Sequence, residues 1–426
     1  MIIEIQANRL WAKLSIAVAT LFLCAVLAVA MLTQVITGIL TDERVTVSRE
    51  LLASGVRYVP NSAPLQARLA EAEMAEAERD LPNIEARAIR AINLSPWDYN
   101  YQLLLASIKE TRGDRAEAEK ALRTALSLAP NNTDVHWRLA NLLLRQGKMA
   151  GSLEEFRKAI STDAAYLPST LELIWRVSGG RLDAVNALAG DRPESKLLLA
   201  RFLLNQSRVA EAGSVFNSID VKARLAIPES SAFIDSLIVK GDITLARYLW
   251  ASTLSANDTT QSIWNGGFES DVVKGFAQFD WTISRNDYVR PAIDSGTFHN
   301  GLRSLRLDFA GRDTTRLDGE IKQLAVVRPG ARYRLECYAK TDAFQTPEGP
   351  RVVVANITLQ SEIAASDAIA AGTNDWRRIS IEFVAPQSAQ SILIRIKRVP
   401  RFSYDEPTKG TVWFDDFTLT EQDTGK

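Results

Sequence analysis

Three kinds of hydrophobic patterning follow one another along the chain, and each predicts a different structure. Residues 14–40 form an uncharged, almost wholly apolar run. Beyond about residue 50, apolar positions recur with a helical period of 3.6 residues. From about residue 261, apolar and polar positions alternate, as in half-buried β-strands. The pattern therefore predicts a multidomain chain with a transmembrane helix (1–45), an α-solenoid (46–260) and an all-β antiparallel β-sandwich (261–426).

The apolar run is long enough to cross a membrane, because about 20 such residues span a hydrocarbon core of about 30 Å. Arg9 and Lys13 precede it. Positive residues favour the cytoplasmic side, so we expect everything after residue 45 to lie outside the cytoplasm. The predicted location is a bacterial inner membrane, with a single pass and the bulk of the chain periplasmic.

A cleaved secretory signal is the alternative interpretation of this run. Ala28-Val29-Ala30 resembles the small-x-small pattern of a cleavage site. The apolar stretch continues through Ile36, Ile39 and Leu40, which is longer than a usual signal core and favours an uncleaved anchor. Under either interpretation most of the chain is exported.

The helical segment repeats itself at an offset of 34 residues. Small or turn-forming residues recur at this offset, namely Ala72/Ala106/Ala140, Ala91/Ala125/Ala159, Pro96/Pro130 and Gly113/Gly147. Alanine lets paired helices approach closely, glycine supplies the turn between them, and proline ends the second helix. This period is typical of a helix–turn–helix unit stacked on its neighbours.

These positions resemble the tetratricopeptide repeat. The best copies carry Leu105-Ala106, Gly113, Ala118, Ala125 and Pro130, then Leu139-Ala140, Gly147, Phe156 and Ala159, with degenerate copies near Leu199-Ala200 and Gly241-Asp242. The resemblance covers about residues 50–260 and implies a superhelical stack whose concave groove binds an unidentified protein partner. A spacer that only holds the last domain off the membrane is the alternative.

Aromatic residues within the repeats fit a structural role better than a ligand site. Trp97, Trp137 and Trp175 stand at helical spacing among Leu and Ala, which predicts packing between repeats. His136 has no Ser, Cys or acid at a useful spacing, so we expect it to be structural.

Alternation is clearest between residues 333 and 340. Tyr333, Leu335, Cys337 and Ala339 face one way and Arg334, Glu336, Tyr338 and Lys340 face the other. Ile392, Ile394 and Ile396 similarly oppose Leu393, Arg395 and Lys397. With turn residues at 328–330 and 348–350, this pattern predicts an antiparallel sandwich with one core face and one polar face per sheet.

Fragments of this last segment carry a second resemblance. They are Asn265-Gly-Gly-Phe-Glu269, Trp281, His299-Asn-Gly-Leu-Arg-Ser-Leu-Arg306, Val327-Arg-Pro-Gly-Ala-Arg-Tyr333, Trp376 and Val412-Trp-Phe-Asp-Asp-Phe417. Together they resemble the galactose-binding-like jelly rolls of carbohydrate-binding modules in families 4, 9 and 22. In that resemblance Trp281 and Trp376 occupy core positions.

The same resemblance implies a structural Ca²⁺. In the family, an acid of the opening fragment and an acid of the closing strand hold the ion, with backbone carbonyls completing the shell. Carried over, the ligands are Glu269 and Asp415 or Asp416. Adjacent strand residues face opposite ways, so we expect only one of the pair to face in, and the family position favours Asp415. Solvated turn residues are the alternative.

The polar strand faces supply candidate glycan contacts, because aromatic rings stack on pyranose rings and polar side chains bond their hydroxyls. The candidates are Tyr338, Arg334, Glu336, Asn356, Gln360, Arg395 and Lys397. Arg395 and Lys397 would suit an anionic sugar such as a uronic acid. A face that simply meets water would carry the same pattern.

Composition excludes several classes of function. The 426 residues carry 50 Lys and Arg against 51 Asp and Glu, which leaves no electrostatic footprint for nucleic acid. Two Cys and two His are too few for a disulfide framework or a structural zinc site. No Ser/His/Asp arrangement or phosphate loop occurs, and Asp415 and Asp416, expected to face opposite ways, cannot flank one glycosidic bond.

The sequence thus predicts a non-catalytic, membrane-anchored scaffold. Its repeats would bind a protein partner and its jelly roll a polysaccharide, in assembly or export of an envelope or secreted polysaccharide. The setting is an analogy based on the two resemblances. A pure protein-interaction adaptor, whose jelly roll binds no sugar, is the alternative.

Overall fold

The structure is a computed structural model of the whole chain. It describes residues 10–42, 44–254, 262–271, 276–312, 314–357, 361–400, 402 and 407–422. Arg9 and Gln360, named above, lie outside these residues. The chain divides into two compact units, Met1–Gly190 and Asp191–Lys426.

The regular secondary structure in the described residues of the first unit is helical. Its helices are α1 (Leu10–Thr41), α2 (Arg49–Tyr58), α3 (Ala63–Met74), α4 (Leu81–Leu94), α5 (Tyr99–Arg112), α6 (Arg115–Leu128), α7 (Thr133–Arg145), α8 (Met149–Thr162), α9 (Leu167–Val177) and α10 (Leu182–Ala189). A short 3₁₀ turn, Ala164–Tyr166, lies between α8 and α9.

The 34-residue period corresponds to pairs of antiparallel helices. Ala106, Ala125, Ala140 and Ala159 are all buried at helix contacts, where a larger side chain would force the helices apart. Gly113 caps α5 with φ of 92°, a left-handed conformation that favours glycine. The predicted helix–turn–helix architecture is confirmed.

The apolar helix α1 does not end as an isolated rod. Its residues Lys13–Thr41 are long and apolar enough to cross a membrane. At its C-terminal end, Leu40 is buried in a cluster with Leu52 of α2 and Leu65 of α3, and Ile36 packs against the same cluster. The last turns of α1 are therefore part of the first helical core.

The second unit begins with five helices, α11 (Pro193–Asn205), α12 (Val209–Asn217), α13 (Val221–Ala226), α14 (Glu229–Lys240) and α15 (Ile243–Ala251). Its strands are β1 (Thr282–Ile283), β2 (Val289–Asp294), β3 (Ser304–Arg312), β4 (Ile321–Val326), β5 (Arg332–Gln345), β6 (Arg351–Asn356), β7 (Glu362–Ala365), β8 (Gly372–Val384), β9 (Ser391–Lys397) and β10 (Thr408–Gln422).

The strands form the predicted sandwich of two antiparallel sheets. We call the sheet ordered β1-β4-β9-β6-β7 sheet A and the sheet ordered β2-β3-β10-β5-β8 sheet B. Leu335 and Cys337 of β5 face Ile392 and Ile394 of β9 in one apolar core. Burial alternates along β5 and β9 as the sequence predicts, because each strand has one core face.

Helix α15 is joined to the sandwich by an aromatic cluster. The indole Nε1 of Trp250 donates a hydrogen bond of 2.8 Å to the carbonyl of Phe276. Its ring lies 5.7 Å from those of Trp264 and Phe279, and the guanidinium of Arg247 lies over it at 4.6 Å. Because Trp250 is fully buried, the last helical pair and the sandwich share a core.

Candidate ligand-binding sites

The repeats of the first unit leave an open cavity between α5 and α7. Its volume is about 260 Å³, and Ser107, Trp137, Arg138 and Asn141 are among the residues that line it. We call this cavity the repeat groove. Trp137 packs against Phe156 and Tyr166, with ring centroids 5.0 and 4.9 Å apart, and its partly buried side chain also lines the groove.

Two further predictions about the repeats have opposite outcomes. His136 is buried and structural, because its Nδ1 pairs with Glu155 Oε2 at 2.6 Å and its Nε2 with the Pro130 carbonyl at 2.9 Å. The assignment of Trp97 to the core is wrong, since this side chain is 84% exposed in the turn before α5.

In the sandwich, the acids named for calcium converge on the loop that precedes β3. The amides of Leu302 and Arg303 donate to Glu269 Oε1 at 2.8 and 3.1 Å. The amide of His299 donates to Asp415 Oδ2 at 2.8 Å. These bonds pin the opening fragment, the loop and β10 to one another.

Asp415 and Asp416 do not face opposite ways, so this part of the prediction is wrong. The register of β10 against β5 shifts between Asp415 and Thr418, and Asp416 has φ of 52°. This β-bulge interrupts the alternation. As a result Asp416 Oδ2 reaches His299 Nδ1 at 2.6 Å, beside the bond from the His299 amide to Asp415.

Burial of Asp415 raises the pKa of its carboxyl group. Its side chain has no exposed surface, and desolvation raises its pKa to about 6 despite the amide donors of His299 and Asp416. A carboxylate enclosed in this way cannot reach a substrate.

Glu269, Asp415 and Asp416, the acids predicted to bind calcium, lie close together in the structure. They surround Gly267, where a Cβ would lie 3.6 Å from Oδ1 of both Asp415 and Asp416 and 3.8 Å from Cγ of Glu269. Within the described residues no three His, Cys, Asp or Glu side chains are placed to hold a metal on their own. Calcium stays a prediction of the family resemblance, in which Glu269 and Asp415 or Asp416 would be ligands together with backbone carbonyls, and the ion would supply positive charge to the buried carboxylate.

The aromatic Tyr338 lies on the outer face of sheet B, directly opposite Asp415 on β10. It is covered by His299, whose ring stacks on it with centroids 3.7 Å apart. Trp376 meets the same imidazole edge-on at 5.7 Å and is partly exposed, so its assignment to the core is wrong. The sequence interpretation missed His299, because nothing in the local pattern indicates a contact between this loop and β5.

The remaining glycan candidates do not form one site. Arg334 and Glu336 share the outer face of sheet B with Tyr338, whereas Arg395 and Lys397 lie on β9 of sheet A. Most of these charges are already paired. Arg334 bonds Glu382 at 2.7 Å, Arg395 meets Asp318 at 3.1 Å, and Lys397 pairs with Glu362.

Asn356 was assigned to the wrong face of its strand. It is buried and stands opposite Ile392, so its side chain lies on the core side of β6. Gln360 falls among the residues that the structure does not describe.

Comparisons with known proteins find similarity to repeat proteins among the helices. A family model described as tetratricopeptide repeat matches residues 103–166. A crystal structure of MamA shares 17% identity over 33% of this chain and 82% of its own, with a TM-score of 0.30. A search of curated proteins finds no match.

Two carbohydrate-binding modules are similar to the sandwich in fold. A structure described as "CBM4 structure and function" shares 20% identity over 38% of this chain and all of its own, with a TM-score of 0.28. A family 16 module shares 18% over 38% of this chain and 99% of its own, with a TM-score of 0.27. This chain is therefore similar to tetratricopeptide-repeat proteins over residues 103–166 and to carbohydrate-binding modules over 38% of its length.

Proposed function

We propose that the chain is a non-catalytic, membrane-anchored scaffold that binds a protein partner in the repeat groove and a glycan on the sandwich. The observation that carries the proposal is the repeat groove. It presents a partly exposed Trp137 beside the polar side chains of Ser107, Arg138 and Asn141. An aromatic anchor among polar groups is typical of protein-binding surfaces.

The proposed setting is the outer side of a bacterial inner membrane, in assembly or export of an envelope or secreted polysaccharide. The apolar helix Lys13–Thr41 supports the anchor, and the family resemblance of the sandwich supports the glycan. The proposed domains are residues 1–45, 46–260 and 261–426.

A non-catalytic role is supported by the carboxylates that do come together. Asp415 and Asp416 are brought to one side of β10, but Asp415 is fully buried and bonded to backbone amides. Glycoside hydrolysis needs two carboxyl groups on either side of an accessible bond.

The alternative is a pure protein adaptor. It is favoured by the pairing of Arg334 with Glu382 and of Arg395 with Asp318, which leaves these outer faces with few free charges for a ligand.

Site-specific photo-crosslinking in the native membrane tests the groove. A photoreactive residue at Asn141 should give discrete adducts that disappear with Arg138→Glu in the same chain. The control position is Thr124, exposed on α6 outside the groove. Equal adducts from Asn141 and Thr124 would overturn the groove as the binding surface.

Binding of acidic and neutral polysaccharides to the full chain in detergent micelles tests the proposed glycan binding. If neither kind of polysaccharide binds, the result supports the adaptor.

A further inference from the structure

A cavity of the sandwich lies at one edge, away from the faces described above. It has a volume of about 410 Å³ and opens between β8 and residues 366–371, which connect β7 to β8. Ala339, Ile369 and Ile379 provide apolar lining, and Asp367, Asn374 and Arg377 provide polar lining. We call it the edge cavity. Its volume is within the range typical of small-ligand pockets.

Arg377 occupies an unusual position in the sheet. It stands opposite Ala339 on β5, and directly opposite residues in an antiparallel pair share a face. Ala339 belongs to the core, so Arg377 is a charged residue at a core-facing position, exposed because β8 is an edge strand. It makes no hydrogen bond or ion pair with any described residue, whereas Arg334 and Arg395 both have carboxylate partners.

Two polar groups that line the cavity with Arg377 can accept hydrogen bonds, while the neighbouring Arg378 lies 3.6 Å from the Glu336 carboxylate. The amide nitrogen of Asn374 donates to Thr341 Oγ1 at 3.0 Å and to the Ala371 carbonyl at 3.2 Å. These two bonds fix the amide orientation and leave its oxygen as the free acceptor. Asp367 is exposed, and its carboxylate has no partner among the described residues.

The wall of the cavity is held in place before any ligand arrives. The amide of Ser366 donates to the Val352 carbonyl at 2.9 Å, and the amide of Ile369 donates to the Pro350 carbonyl at 2.9 Å. Residue 349 must be glycine for this approach, because a Cβ there would lie 2.0 Å from the Ile369 carbonyl oxygen. A preformed wall reduces the entropy that binding would otherwise cost.

We propose that the edge cavity binds a carboxylate-bearing sugar residue of an acidic glycan. The guanidinium of Arg377 donates two parallel hydrogen bonds to the carboxylate of the sugar. Asp367 and Asn374 accept hydrogen bonds from ring hydroxyls, and Ile369 and Ile379 contact the apolar ring face. The inference deepens the proposed glycan function and rests on it. Arg395 and Lys397 form ion pairs with carboxylate side chains. We therefore assign recognition of the acidic sugar to Arg377, which has no ion-pair partner among the described residues.

The test measures binding of oligosaccharides to the full chain held in detergent micelles. The probes are oligomers of galacturonate, glucuronate and mannuronate, each paired with its carboxyl-reduced counterpart. We expect at least one acidic oligomer to bind tenfold or more tightly than its reduced form, about 1.4 kcal/mol. Arg377→Gln should remove this difference without changing binding of the reduced form. Arg377→Lys should restore part of it, because the charge returns without the planar fork.

The matched control is Arg332→Gln on the adjacent strand β5, which removes another exposed arginine that has no ion-pair partner in the described part of the chain. It should leave binding unchanged, and both variants should melt like the wild type. If acidic oligomers bind equally well to the Arg377→Gln and wild-type chains, the edge cavity is not the site while the glycan function stands. If no oligomer binds to the wild type, the glycan function itself fails, and this inference with it.

Discussion

The imidazole ring of His299 lies flat on the phenol ring of Tyr338, with centroids 3.7 Å apart and planes inclined by 14°. The same imidazole bonds Asp416, and the backbone amide of His299 bonds Asp415. An aromatic side chain on a charged strand face is thus accounted for by packing within the molecule. Tyr338 belongs to the attachment of the loop rather than to an open sugar platform.

The first prediction follows from this stacking. Tyr338→Ala should loosen the loop, because a stacked ring pair contributes about 0.5–1.5 kcal/mol. Hydrogen exchange of the amides between residues 298 and 303 should accelerate by about twofold to tenfold. His299→Ala should have a similar effect, and the double variant should add little to either single one. Arg332→Ala, on the same strand but exposed, should leave the exchange unchanged. Additive effects of the two substitutions would show that the rings do not act together.

Calcium is the second prediction. An ion that binds only the folded state stabilises it by RT ln(1 + [L]/Kd), about 2.7 kcal/mol at a 100-fold excess over Kd. We expect the melting temperature of the second unit, followed in the full chain, to fall with a chelator and recover with Ca²⁺. Glu269→Gln should abolish the recovery, whereas Glu382→Gln, which removes an exposed acid of β8, should retain it. If the melting temperature does not change when the chelator is added, the backbone amides alone satisfy the carboxylates of Glu269 and Asp415.

The third prediction concerns pH in metal-free protein. Burial raises the pKa of Asp415 to about 6, above the value of about 3.9 for an unfolded chain. The folded state therefore binds the proton more tightly. The contribution of Asp415 to stability is fully present below about pH 4 and is lost as the pH rises through 6, by roughly 3 kcal/mol.

Urea unfolding of the wild type and of Asp415→Asn in the presence of a chelator isolates this group, because asparagine does not titrate. The stability difference between the two chains should shift against the wild type between pH 4.5 and 7. A shift in favour of the wild type would mean that a cation or another charge lowers the pKa of Asp415 instead.

Trp250 gives the fourth prediction. Removing a fully buried tryptophan leaves a large cavity and costs about 3–5 kcal/mol. Because Trp250 joins α15 to Trp264 and Phe279, Trp250→Ala should lower the hydrogen-exchange protection of the sandwich together with that of α14 and α15. Tyr248→Ala, on the same helix but 59% exposed, should change stability by less than about 0.5 kcal/mol. Loss of protection confined to α15 would show that the helix and the sandwich fold separately.

The features that could be predicted from the sequence are those that follow from strand alternation or from the 34-residue repeat. Cys337 and Tyr338 fall on opposite faces because β5 has one core face and one outer face, and Ala106 and Ala140 are buried because stacked repeats need small contacts. Asp416 could not be placed in the same way, since a single bulge reverses the alternation without changing the residues around it.

Two other differences have equally specific causes. Both faces of β6 are buried, so alternation along that strand gave no indication that Asn356 faces the core. The contact between His299 and Tyr338 joins residues far apart in the chain, and no local pattern reports it. The edge cavity depends on residues 366–371 crossing the open side of β8, which is a property of the assembled sandwich.

The length of the apolar helix α1 is explained partly by packing against the repeats as well as by membrane spanning. This affects how cleavage of the helix can be tested against anchoring. Ile36 and Leu40 are apolar because they pack with Leu52 and Leu65. They therefore no longer argue against a cleaved signal. About 20 residues suffice to cross the bilayer, so residues 14–33 can span it while residues 34–41 belong to the first helical core.

The fifth prediction separates the two parts of this helix. Leu23→Lys places a charge at the centre of the span formed by residues 14–33, at a cost of about 2.5–3.5 kcal/mol, and should reduce membrane insertion. Leu40→Lys should leave insertion intact, measured by retention after carbonate washing, while proteolysis between residues 49 and 74 accelerates because the first core has lost its apolar contact. A reporter active only outside the cytoplasm, fused after residue 426, should give a signal in the wild type. A soluble mature form that starts near Met31 would overturn the anchor. The effect of Leu40→Lys on proteolysis would persist in that form, because Ile36 and Leu40 remain in the chain on either outcome.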